Sequence, residues 1–102
     1  MIELTEEQLK EIEEKEKIVL YLYTPLCGTC QLAKKMLTVV EAAIPSLTIY
    51  MKDLNFIPRY AEKWKVESVP CLLVIEKGEI KYKKYAFHSI EHLYESLKPY
   101  AA

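Results

Sequence analysis

Long apolar runs are missing from this chain. None approaches the roughly 20 residues a helix needs to cross a bilayer, and the longest, Ile18–Tyr23 and Cys71–Ile75, have the length of strands. Net charge is missing too: 14 Lys and Arg against 15 Asp and Glu leave a formal charge of -1. No whole-chain field therefore favours nucleic acid or an anionic membrane as partner. Cysteine is scarce and odd in number, three in all, which excludes the disulfide framework of a small secreted domain. There is no Gly/Ser-rich linker, internal repeat or low-complexity tract to divide the chain. The acidic start, MIELTEEQLKEIEEKEK, has neither the basic nor the apolar segment of a secretory signal. The expectation is one domain over residues 1–102, cytosolic, monomeric and large enough to bury a core without metal or disulfides.

What is present is concentrated in Leu20–Leu32, LYLYTPLCGTCQL. Cys27 and Cys30 follow an apolar run and open a stretch of helical periodicity. A sulfur at a helix start feels the partial positive charge of unpaired backbone N–H groups, which stabilises a thiolate and makes it nucleophilic at neutral pH. In a cytosolic chain the C-x-x-C spacing favours a redox or metal role. Two other readings stand beside the redox one. The pair is a pair of core thiols, or it joins Cys71 and a fourth ligand to hold zinc or an iron–sulfur cluster. His88 and His92 do not complete that set, because His88 falls before the cap of the last helix and the two lack a shared helical face.

Taken in order, Met1–Leu4 reads as a short edge strand. Thr5-Glu6-Glu7-Gln8 reads as a capping box, with Leu4 and Leu9 at the staple positions. It opens a helix over Glu6–Glu14, and the charge run Glu11–Lys17 reads as a solvated face. Ile18–Tyr23, apolar throughout, predicts a central strand covered on both faces. Cys30, Ala33, Leu37, Val40 and Ile44 recur at steps of three and four, predicting an amphipathic helix that Pro45 stops. Leu47–Met51 is the next strand, reached by a right-handed parallel crossover, and Asp53–Asn55 the turn after it. Ile57–Trp64 is a short helix, Cys71–Ile75 a strand, and Lys77-Gly78 a reversal into the edge strand Ile80–Tyr85. Ser89 caps a last helix built on Ile90, Leu93, Tyr94 and Leu97. This order implies an α/β fold with a mixed sheet of four or five strands flanked by four helices.

At this point the chain resembles the thioredoxin family over nearly its whole length. The resemblance rests on Cys27-Gly28-Thr29-Cys30 between strand and helix, on Val69-Pro70 about forty residues later ahead of an apolar strand, and on the Lys77-Gly78 turn. It implies the thioredoxin fold, a cis Pro70 beside Cys27, and thiol–disulfide oxidoreductase chemistry with Cys27 as nucleophile and Cys30 as resolving thiol. Leu26, Gly28, Thr29, Val69 and Pro70 are the implied substrate contacts. No bound cofactor is implied: the electrons reside in the two cysteines and come from a reductase or a small thiol. The substrates implied are disulfide-bearing proteins or small thiol compounds. Between the cysteines, Gly28-Thr29 carries no charge to stabilise the thiolate further, so a reducing couple is expected, nearer thioredoxin's roughly −270 mV than the oxidants' roughly −120 to −180 mV.

The chain departs from the common pattern at four places. Tyr21 stands where many thioredoxins bury an Asp six residues before the first cysteine. Leu26 replaces a Trp, Thr29 replaces the Pro of C-G-P-C, and Ala86 replaces a groove Gly. A phenol with an ordinary pKa near 10 supplies no carboxylate at neutral pH, so water, a substrate thiolate or a carboxylate elsewhere takes the proton of Cys30. The rival reading drawn from these departures is a non-enzymatic module. In it, a groove around Leu26, Val69-Pro70 and Ala86-Phe87 binds an extended peptide while the thiols sense redox state.

Overall fold

The computed structural model describes residues 1–14 and 17–101, Glu13 by its backbone only. Five strands form one sheet in the order β1 (Ile2–Glu3), β3 (Ile49–Asp53), β2 (Ile18–Tyr23), β4 (Cys71–Glu76), β5 (Glu79–Lys84). β1 and β2 flank β3 in parallel, whereas β2–β4 and β4–β5 are antiparallel. β2 therefore lies at the centre of the sheet, as its unbroken apolar sequence requires. The lysines of β5 lie on an edge, where charge opposes pairing with another chain.

Alternation along β2 divides the core. Val19 and Tyr21 face a cluster built with Ala33, Leu37, Val40, Leu93 and Leu97 from α2 (Gly28–Ala43) and α4 (Ile90–Leu97). Ile18, Leu20 and Leu22 face the opposite cluster, with Leu9 from α1 (Glu6–Glu13) and Ile57, Tyr60 and Trp64 at α3 (Pro58–Lys63). Each fully buried aliphatic side chain contributes about 1.5–3 kcal/mol of transfer free energy. The capping box at Thr5 is present in full, with Gln8 N–H donating to Thr5 Oγ1 and Thr5 N–H to Gln8 Oε1. Both staple leucines are buried. Of the charged run Glu11–Lys17, Glu11 and Glu14 are exposed, while Lys15 and Glu16 lie outside the described residues.

Element ends that shift from the sequence reading move by a single residue, except that β3 shifts by two at both ends. β3 runs Ile49–Asp53 rather than Leu47–Met51. Leu47 is buried, but its N–H donates to Ile44 O and closes the turn out of α2. At the other end the ladder continues until Tyr23 pairs with Asp53, because β2 extends that far. Asp53 is thus both the end of the strand and the cap of the 3-10 turn Leu54–Phe56, through Asn55 N–H on its carboxylate at 2.9 Å. Ser89 caps α4 by accepting from His92 N–H, so His88 does precede the helix.

Candidate functional site

β2 ends at Tyr23, and Thr24, Pro25 and Leu26 carry the chain onto α2. Cys27 is the N-cap of this helix of 16 residues, and its Sγ accepts from Cys30 N–H at 3.1 Å. Thr29 Oγ1 lies 3.3 Å from the same sulfur. The end of the helix contributes about half a positive charge at this point, so any negative charge on Cys27 meets two hydrogen-bonding groups and a favourable dipole. Cys27 and Cys30 are joined as a disulfide with Cα atoms 5.1 Å apart. Cys27 is half-buried and Cys30 only 3% exposed, so one sulfur is the more approachable.

The surroundings of Cys27 are open and apolar. Leu26 is 99% exposed. Gly28 borders empty space, since a Cβ placed on it meets nothing within 4 Å, and its size therefore has no packing cause. The Val69–Pro70 peptide is cis, as the family resemblance implied. A groove of about 300 Å³ is lined by Thr29, Leu32, Met36, Pro70, Ala86 and Phe87 among others. Of the substrate contacts read from the sequence, Thr29 and Pro70 meet in this groove. Gly28 precedes Thr29 and Val69 precedes Pro70 in the chain, but neither lines the groove itself, and Leu26 stands apart from it with its side chain in solvent. Leu32 and Met36 were not legible as groove residues. Their signal is helical spacing, one and two turns beyond Thr29.

Behind the disulfide lies a second cavity, of about 410 Å³, whose walls include Glu3, Tyr21, Tyr23, Cys30, Gln31 and Lys34. Tyr21 is wholly buried, stacks on Tyr23 at 5.8 Å between ring centroids, and donates its hydroxyl to Cys30 O at 2.6 Å. Burial pushes its phenol well above the ordinary range. Tyr21 is therefore a donor at any physiological pH and takes no proton from Cys30. Tyr23 donates to Glu3 Oε1 at 2.5 Å.

Cys71 packs in the cluster on the α1/α3 face, whereas Ala33, Leu37 and Val40 of α2 pack in the other. The sheet thus separates Cys71 from the helix that carries the disulfide. Among the described residues no group of three or more His, Cys, Asp and Glu is placed to hold a metal ion. The rings of His88 and His92 do meet edge to face at 5.3 Å, although they share no helix. Burial pushes the Cys71 thiol up to about 11, against a smaller downward pull from Lys83. Iodoacetamide is expected to spare Cys71 in the native reduced protein and to modify it in denaturant. Below the usual thiol range both folded and unfolded forms are protonated. As pH rises from about 9 toward 11 only the unfolded form loses this proton, so stability falls over that window. Rapid native labelling of Cys71 would contradict both expectations.

A family model described as Thioredoxin matches residues 1–98. The chain belongs to the thioredoxin family. It is 48% identical over 98 residues to the thioredoxin-like protein YusE of Bacillus subtilis (strain 168), covering 96% of this chain and 92% of that one. Among solved structures, oxidised thioredoxin from Plasmodium falciparum superposes with a TM-score of 0.82 at 15% identity, over 100% of this chain and 99% of that one. A mutant thioredoxin from Halobacterium salinarum NRC-1 gives 0.81 at 16% identity, over 99% and 90%. At these identities the two structures establish the fold. Family membership together with the Cys27–Cys30 disulfide makes the chain a thiol–disulfide oxidoreductase. Disulfide-bearing substrates and a reductase partner accompany that family in general.

Proposed function

We propose that this oxidoreductase reduces protein disulfides in the cytosol, with Cys27 attacking and Cys30 resolving. The observation that carries the proposal is the asymmetry of the pair. Cys27 is the more exposed of the two residues, accepts the Cys30 N–H at the start of α2, and adjoins the apolar groove through Thr29. Cys27 thiolate attacks one sulfur of the substrate disulfide, the S–S bond breaks, and the departing thiolate takes a proton from solvent. Cys30, once deprotonated, attacks Cys27 Sγ and expels the second substrate sulfur. The substrate gains two electrons and the protein dithiol loses them. A reductase or a small thiol then returns the protein to its reduced form. Leu26, Gly28, Thr29, Val69 and Pro70 act in this scheme as the substrate-facing surface, with Gly28 leaving room for a peptide backbone.

Insulin reduction by dithiothreitol tests the proposal. Catalytic amounts of the protein are expected to accelerate precipitation well beyond dithiothreitol alone. A rate equal to the thiol control overturns the enzyme reading and favours the peptide-binding one, for which the groove and the exposed Leu26 also provide a surface.

A further inference from the structure

Resolution by Cys30 needs a base, and the position facing it holds none: the Tyr21 hydroxyl is committed as a donor to Cys30 O. The cavity behind the disulfide narrows the alternatives. Among the described residues that line it, one carboxylate is present, Glu3. β1 brings it there. Glu3 pairs with Met51 and Met51 with Tyr21, so the three stand in one cross-strand row on the α2 side of the sheet. Adjacent strands lie about 4.8 Å apart, which sets Glu3 about 10 Å from Tyr21 across β3. Tyr23, two residues beyond Tyr21 on the same face, spans part of that interval and donates to Glu3. Its hydroxyl oxygen remains able to accept a proton from the cavity side while its own proton passes to Glu3. A space of about 410 Å³ with carboxylate, phenol, amide and ammonium groups on its walls is roomy and polar enough to hold water.

We propose that Glu3, through Tyr23 and the water of this cavity, is the proton acceptor for Cys30 in the resolving step. The inference rests on the roles assigned above to Cys27 and Cys30. The Cys30 thiol gives its proton to the Glu3 carboxylate along the relay. The Cys30 thiolate then forms the bond to Cys27 Sγ as the bond from Cys27 to the substrate sulfur breaks, and that sulfur leaves with the electron pair. The Glu3 carboxyl afterwards returns its proton to solvent, to which it is exposed. Other charged and titratable groups face the same space. Lys34 comes from α2, the Met1 ammonium is held on Glu41 of α2, and Tyr21 and Tyr23 come from β2. Asp53 of β3 lies close enough to Tyr23 to oppose its ionisation. Burial and Glu3 oppose it more strongly, which keeps Tyr23 a neutral relay rather than an end point.

Stopped-flow oxidation of the reduced protein by dithiobis(nitrobenzoate) separates the steps. The first nitrothiobenzoate is released when Cys27 attacks, and the second when Cys30 resolves. Because this leaving group departs without a proton, the pH profile of the second phase reports deprotonation of Cys30. Glu3→Gln retains an oxygen acceptor for Tyr23 but removes the base. It is expected to leave the first phase unchanged and slow the second by on the order of 100-fold at neutral pH. The deficit should close as pH passes about 8.5, the ordinary thiol pKa. Glu3→Asp is expected to recover part of the rate. A second phase in Glu3→Gln that matches wild type, or that is slower by one factor at every pH, overturns the role of Glu3. Absence of the first phase in the wild-type protein overturns the thiol roles instead.

Discussion

Cys30→Ser is expected to convert a turnover enzyme into a trap. With the resolving thiol gone, Cys27 still attacks substrate disulfides, but the mixed disulfide has no intramolecular route to release. Its lifetime is then set by external thiols. A well-placed intramolecular group has an effective concentration of roughly 10⁵ M or more. At millimolar external thiol, release should therefore slow by many orders of magnitude, and multiple-turnover insulin reduction should vanish above the background. Reductant-sensitive adducts through Cys27 should accumulate in a cell extract and identify the partners. Cys27→Ser should lose turnover as completely and trap nothing, because Cys30 is only 3% exposed. Equal trapping by the two variants would reverse the assigned roles. The Cys30→Ser protein also allows Cys27 to be titrated without its partner, since the remaining thiol, Cys71, is buried and pushed up to about 11. The helix start, and the Thr29 hydroxyl beside the sulfur, should set its pKa below the roughly 8.5 of free cysteine. An unshifted value would remove the electrostatic basis of its reactivity.

The largest structural effect is expected at Tyr21. Its side chain is wholly buried between β2 and α2, stacks on Tyr23, and meets Phe87 at 6.1 Å between centroids. Tyr21→Ala should cost about 4 kcal/mol of unfolding free energy, the sum of lost transfer and a cavity that the sheet cannot close. Against a total of about 5–15 kcal/mol for a domain, that is a large fraction. Tyr21→Phe retains the ring and loses only the hydrogen bond to Cys30 O, so it should cost about 1 kcal/mol. Urea denaturation of both variants measures the two parts. A Phe variant as unstable as the Ala variant would mean that the hydroxyl, not the ring, anchors the start of α2.

The sequence determined by itself whatever depends on neighbours in the chain. The capping box at Thr5, the buried stripe of α2, the continuous apolar β2 and the Ser89 cap all follow from spacing, because backbone hydrogen bonding and side-chain direction repeat with fixed local periods. The C-x-x-C pair at a helix start was legible for the same reason, as was the antiparallel hairpin around Lys77-Gly78. The family pattern added the cis Pro70 and the reacting pair.

Tertiary structure alone decided which residues face the disulfide from other elements. β1 has two residues, too few for any periodicity to mark, and it joins the sheet only through β3, about 50 positions along the chain. The placement of Glu3 behind Cys30 depends on that pairing. From sequence, Tyr21 could be read as standing where a carboxylate is missing, but not as the donor that holds Cys30 O, because that contact requires α2 to lie across β2 at one register. The extent of β3 was set likewise by its partner: Asp53 joined the ladder because Tyr23 was there to pair with it. Local pattern fixes the elements and places the two cysteines at a helix start, while the long-range register fixes which groups surround them, since side chains from distant strands meet only after the sheet has formed.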